Sequence, residues 1–155
     1  TGDEDHVRQM HELAAGLGLR RVKFTGPAYG AAKSLAYRNA DVLVLPSHSE
    51  NFGMVVAEAL SHECPVIAST GTPWQSLVPE GCGWWVEHDV ETLADTMDSV
   101  MRLPRAGLHT MGARGRAWMQ RDFSWESVAE RMDSAYAWVV AGSPAARPPH
   151  IRSAE

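Results

Sequence analysis

Glu50 and Glu58 lie in the stretch SENFGMVVAEA, with seven residues between them and Gly53 among those seven. An ionised carboxylate only accepts hydrogen bonds, so one such group can hold two hydroxyl hydrogens at once, as a sugar or a ribose diol offers them. A helix starting near Gly53 would add a second kind of chemistry. Its first backbone N–H groups have no partner inside the helix and carry the positive end of the helix dipole. That end suits phosphate, and a glycine lets the anion approach the backbone closely. Phosphate on helix amides, with a hydroxyl-binding carboxylate to each side, is the layout for a nucleotide sugar. The same residues also suit an ordinary helix start, in which a loop glutamate faces the dipole and a flank glutamate is solvated, and spacing alone leaves both readings open.

The elements around this stretch decide where it would sit. DVLVLP at 41–46 and PVIAS at 65–69 are short, continuous apolar runs, the mark of strands buried on both faces. WWV at 84–86 reads as a third strand and RVKF at 21–24 as an early one. Helical spacing is found at Val7, Met10, Leu13, Ala14 and Leu17, with Gly18 as the stop. Further helices are predicted over 30–39, 53–63, 89–101 with Asp89 as cap, 108–120 and 124–140. Strands alternating with helices give an α/β fold, a Rossmann-like parallel sheet with helices on both faces. In such sheets ligands bind beyond the carboxyl ends of the strands, and Glu50 follows DVLVLP by one short loop. On a helical wheel Val55, Val56, Ala59 and Leu60 form a buried face, with Glu58 on its flank beside Met54.

The chain has 155 residues, 45% hydrophobic and 21% charged, enough for one domain with a core. A net charge of -5 argues against nucleic acid as a partner. No apolar run approaches the ~20 residues of a membrane span, and the polar opening TGDEDHVRQM carries no signal-peptide pattern. Cys64 and Cys82 match no zinc or redox spacing, which fits a reduced, cytoplasmic setting. Residues 1–142 read as the folded domain, and the Pro-rich polar segment 143–155 as a disordered tail. Trp118, Trp125 and Trp138 sit at helical positions and read as packing residues, and Trp84 and Trp85 as facing opposite sides of a strand. His48, beside Glu50, reads as a solvated loop residue. Thr70, Gly71 and Thr72 follow PVIAS, either as a tight turn or as a loop near the ligand.

ADVLVLPSHSENFGMVVAEALSHECPVIAS resembles the signature of retaining glycosyltransferases of the GT-B fold, the group 1 (family 4) class, whose hallmark is a Glu, seven residues and a second Glu after a strand ending in Pro-Ser. VKFTGP, YRNAD, the GTP loop and FSWESVAERM extend the similarity over nearly the whole chain. GTPWQSL with GCGWWV is similar to members that build bacterial polysaccharides such as lipopolysaccharide.

The resemblance implies transfer of a sugar from a UDP- or GDP-sugar, with retention of configuration, to a glycan or lipid-linked acceptor. It places Glu50 at the catalytic centre, on donor-sugar hydroxyls. It puts sugar and diphosphate on Asn51, Phe52, Gly53, Met54, Val55 and Thr72, the ribose on Glu58, and the base near Ala28 and Lys33. It implies no cofactor and no metal. It further implies that this is the donor-binding second domain of a two-domain enzyme, short of its first strand or strands. The acceptor-binding amino-terminal domain and the diphosphate-neutralising Arg and Lys are then expected elsewhere, and transfer by this chain alone is expected to be negligible. Peripheral membrane association of the intact enzyme is compatible with this reading. A missing strand would expose a sheet edge, so homodimer formation by edge pairing is expected too. The rival readings are a non-catalytic nucleotide-sugar binding or interaction module and a GT-B-fold epimerase or phosphorylase.

Overall fold

The computed structural model describes residues 4–142 and 148–150. It divides into two compact units, Thr1–Ala36 and Tyr37–Glu155. The first unit holds α1 (Glu4–Gly16) and most of α2 (Gly30–Asn39). The second runs through β1 (Leu43–Leu45), α3 (Met54–Ser61), β2 (Val66–Ser69), a 3₁₀ turn (Gln75–Leu77), β3 (Gly83–Val86), α4 (Val90–Met101), α5 (Arg105–Phe123) and α6 (Trp125–Val140).

The strands pair in parallel in the order β1-β2-β3, with Val44 opposite Ile67 and Ile67 opposite Trp84. Side chains alternate across a strand, and here that alternation divides the core into two layers. Leu43, Leu45, Val66, Ala68 and Trp85 join Val56, Ala59, Leu60, Leu77, Trp118 and Met119 on one face. Val44, Ile67 and Trp84 join Val100 and Leu108 on the other. All four residues of central β2 are buried, which is why PVIAS is apolar without a break. The two tryptophans of β3 face opposite layers, as their spacing predicts.

Helix ends follow local chemistry. Asp89 Oδ1 accepts from Thr92 N at 2.8 Å and caps α4. That amide bond is the main cause holding the Asp89 carboxyl below its ordinary value. Ser124 Oγ accepts from Ser127 N at 3.1 Å and caps α6. α3 stops earlier than the predicted 63, because Glu63 adopts a φ of 63°. This is the left-handed position that commonly ends a helix, and Cys64 N then bonds back to Ala59 O.

Three expectations are corrected. RVKF forms no strand: residues 22–29 carry no ladder, and a run this short is a strand only where a neighbour supplies its hydrogen bonds. α5 runs over Arg105–Phe123, longer at both ends than the predicted 108–120, with Pro104 preceding its first turn. Trp125, read as a packing residue, is 87% exposed at the first position of α6, whereas Trp118 is 5% exposed and fills the core as expected. Of the predicted disordered tail, 143–147 and 151–155 lie outside the described residues. In the described part, His150 Nε2 is 2.9 Å from Arg131 O. Among the described residues no helix is long and apolar enough to cross a membrane.

Candidate functional site at the carboxyl edge of the sheet

Three loops meet where β1, β2 and β3 end. Ser69, the last residue of β2, donates its hydroxyl to Ser47 O. Glu50 N donates to Gly71 O at 2.9 Å. Gly71 is packed so closely that a Cβ there would lie 2.2 Å from His48 O, so no larger residue fits without displacing the loop that carries Glu50. From the third strand end, the His88 ring reaches Pro46 O at 2.9 Å and lies against His48 with ring centroids 3.7 Å apart.

The far end of the Glu50 loop has an aromatic anchor. Trp74, 2% exposed, donates its indole N–H to Phe52 O. It lies within ring contact of Phe52, Trp118 and Phe123, at 5.1, 5.7 and 5.8 Å. The sequence reading missed Trp74. Its position in a Gly/Pro-rich loop gives no periodicity from which burial could be inferred.

Between these anchors the loop presents Glu50. Its Oε1 accepts from the Ser47 hydroxyl at 2.9 Å, and the remaining lone pairs of the carboxylate are available to hydroxyl donors. Asn51 and Phe52 are exposed, and Gly53 is buried. Gly53 has φ 75° and ψ 61°, a left-handed conformation that glycine adopts without a Cβ penalty. The turn delivers the chain into α3, where Val56 N already bonds Gly53 O at 2.9 Å. Met54 and Val55, in the first turn, have no helical acceptor for their N–H groups. Met54 is exposed and Val55 half-buried.

Glu58 lies one turn further along α3, half-buried, and its Oε2 accepts from the Tyr37 hydroxyl at 3.1 Å. Burial, followed by the bond to Glu58, pushes the Tyr37 hydroxyl up to about 12. Tyr37 is a second residue that sequence reasoning missed. YRNAD was noticed, but a partner 21 residues away leaves no local signal.

Three further predicted site residues lie outside the Glu50–Glu58 stretch. Thr72 is 3% exposed, its hydroxyl donates to Ser69 O at 2.8 Å, and its carbonyl accepts from the Trp85 indole at 3.0 Å. Its polar groups are thus engaged in holding the turn. Ala28 and Lys33 belong to the Thr1–Ala36 unit, whereas Glu50 and Glu58 belong to the other.

The profile of the glycosyl transferases group 1 family matches residues 1–118. A D-inositol 3-phosphate glycosyltransferase of Geodermatophilus obscurus is 37% identical over 132 residues, 83% of this chain and 28% of that protein. Sucrose-phosphate synthase from Thermosynechococcus elongatus superposes with a TM-score of 0.74 at 34% identity, over 88% of this chain and 35% of that one. HepE of Anabaena, solved in complex with UDP, superposes with a TM-score of 0.75 over 88% of this chain and 38% of that one. Its identity of 23% speaks to the fold alone. The chain thus spans roughly a third of the length of these three proteins. The parallel sheet, the two-layered core and the match over 1–118 lead to one assignment: this chain belongs to the group 1 glycosyl transferases, with the α/β architecture of GT-B enzymes.

Proposed function

We propose that this chain is the donor-binding domain of a glycosyltransferase that uses a nucleoside-diphosphate sugar, with UDP as the carrier. The observation that carries the reading is that Glu50, in the loop before α3, and Glu58, in its second turn, are each held by a hydroxyl donor around a helix start that left-handed Gly53 opens. In this proposal the diphosphate lies against the amides of Gly53, Met54 and Val55, with Asn51 and Phe52 beside the sugar. Glu50, oriented by Ser47, accepts from sugar hydroxyls. Glu58, oriented by Tyr37, accepts from the ribose diol. Thr72 acts indirectly, by shaping the loop against which Glu50 is fixed. HepE, whose fold this chain shares, was solved with UDP, and the name of the Geodermatophilus relative supports sugar transfer.

The chemistry follows from where charge develops. The bond from the anomeric carbon to the diphosphate oxygen breaks, and both electrons leave on the diphosphate. Preorganised amides that gain interaction energy as that charge appears favour the transition state over the ground state. The acceptor hydroxyl forms the new bond on the same face and gives its proton to the leaving diphosphate, so configuration is retained. The acceptor is a hydroxylated molecule bound by a second domain. A surface glycan fits the GTPWQSL and GCGWWV segments, and a phosphorylated cyclitol fits the printed name of the Geodermatophilus relative. Calorimetric titration with UDP, GDP and their glucose conjugates tests the proposal: UDP compounds should bind, and Glu58→Ala should weaken them. Equal binding by the variant would refute it.

A further inference from the structure

At the opposite, amino edge of the sheet a polar cleft of about 530 Å³ opens between the last turn of α2, the end of α3 and α5 from Arg105 to Arg116. Asp41 and Pro65, which precede β1 and β2, form part of its floor. α3 has eight residues, so about 12 Å of helix separates this cleft from the Glu50 edge. It is therefore centred at the far end of α3 from Glu50, one turn beyond Glu58.

Its walls are cationic in a chain whose net charge is -5. Arg38, Arg105 and Arg116 line it, against the carboxylates of Asp41 and Glu63. Arg105 lies 3.5 Å from Asp41, and Arg116 donates to Glu63 at 2.9 Å. A guanidinium has five N–H donors in a planar fork, so one such pair leaves most of them available. Arg38 is in no ion pair among the described residues. Two imidazoles complete the lining, His62 and His109. His62 Nδ1 donates to Glu58 O at 2.7 Å, which leaves Nε2 to accept when neutral and to donate when protonated. The 19-residue helix α5 begins at the same rim. Arginine forks, convertible imidazole donors and a recess of small-molecule size fit a phosphate group better than a carboxylate, because phosphate offers more acceptor oxygens to a ring of donors.

We propose that this cleft binds a small phosphate-bearing anion, a phosphate monoester or a diphosphate, independently of the donor site. The test titrates the full chain with inorganic phosphate and with pyrophosphate, following heat and the imidazole resonances of His62 and His109. Saturable binding that moves both resonances is expected. It should fall about tenfold or more in R38Q/R105Q, as expected for the loss of two charge-assisted contacts, and should persist in Glu58→Ala. Both arginines are exposed, so the double variant should keep the parent far-ultraviolet dichroism and Tm. Co-sedimentation with phosphatidic acid vesicles but not phosphatidylcholine vesicles, lost in R38Q/R105Q, would assign the same phosphate chemistry to a lipid headgroup. No binding, or binding unchanged in R38Q/R105Q, overturns the proposal. Failure of UDP-glucose to bind would count against the donor site alone.

Discussion

The hydroxyl of Tyr37, in the last turn of α2, donates to Glu58 Oε2, in the second turn of α3, across 3.1 Å. The carboxylate proposed to read the ribose is thereby held in one orientation before any ligand arrives. A hydrogen bond to a charged acceptor contributes about 1.5–3 kcal/mol. Only the part that orients Glu58 should appear in binding. Tyr37→Phe should therefore weaken UDP about three- to tenfold in calorimetry while Tm moves by only a few degrees. Unchanged affinity would show that Glu58 needs no such support.

Alkaline pH should destabilise the fold through three protons. Burial pushes the Cys64 thiol from an ordinary 9.0 up to about 11 and the Cys82 thiol up to about 12. Tyr37 rises from 10.0 to about 12. Each group holds its proton more tightly in the folded chain. The stability this represents is fully present below pH 9, and is lost as pH rises through the folded values near 11 and 12. Urea midpoints should hold up to about pH 8.5 and fall above it, with a smaller fall in a Cys64→Ala/Cys82→Ala background. A midpoint that stays constant to about pH 11 would contradict this account.

Trp74 joins the Glu50 loop to the core, so its removal should affect stability and site together. Trp74→Ala should cost about 3–5 kcal/mol, the range for a buried large aromatic. Trp74→Phe keeps part of the packing and loses the bond to Phe52 O, so it should cost less in urea denaturation. Both should weaken UDP-glucose binding, because Phe52 and Gly53 follow directly from the anchored segment. A Trp74→Phe variant with parental affinity would separate the anchor from the site.

Gly53→Ala tests the turn into α3. A side chain at φ 75° is strained, and the new Cβ would meet the Trp74 indole nitrogen at 3.2 Å and Leu45 at 3.7 Å. The left-handed backbone alone costs about 1–2 kcal/mol, so Tm should fall by several degrees. Diphosphate affinity should fall as well, since the amides at the helix start would shift. Loss of stability with affinity intact would show that these amides do not hold the diphosphate.

The fold was legible where the chain is buried on both sides. DVLVLP and PVIAS need apolar residues at every position, and they became β1 and β2. RVKF was not legible, because a strand is defined by a partner that its own residues do not encode. Glu50 follows the carboxyl end of β1 and Glu58 lies in the helix after it, as the sequence positions them. The residues that fix that edge were hidden: Ser47, Tyr37 and Trp74 act through bonds made in the folded chain, two of them over 21 and 22 residues. Thr72 was left open between a tight turn and, by the family resemblance, a ligand contact, and its hydroxyl bond to Ser69 O inside the turn is made over three residues that give no sequence signal of it. Trp125 shows the converse, a helical position with an apolar side chain that folding leaves uncovered.

Calorimetric titration of this chain and its Glu58→Ala variant with UDP-glucose, in parallel with GDP-glucose, tests the central claim most directly. The account predicts saturable binding of UDP-glucose by the parent, weaker binding of GDP-glucose, and a loss of about tenfold or more in the variant, the size expected for removing a charged acceptor from a diol. UDP-glucose binding of equal strength in parent and variant, or no binding by a chain shown to be folded, would contradict it.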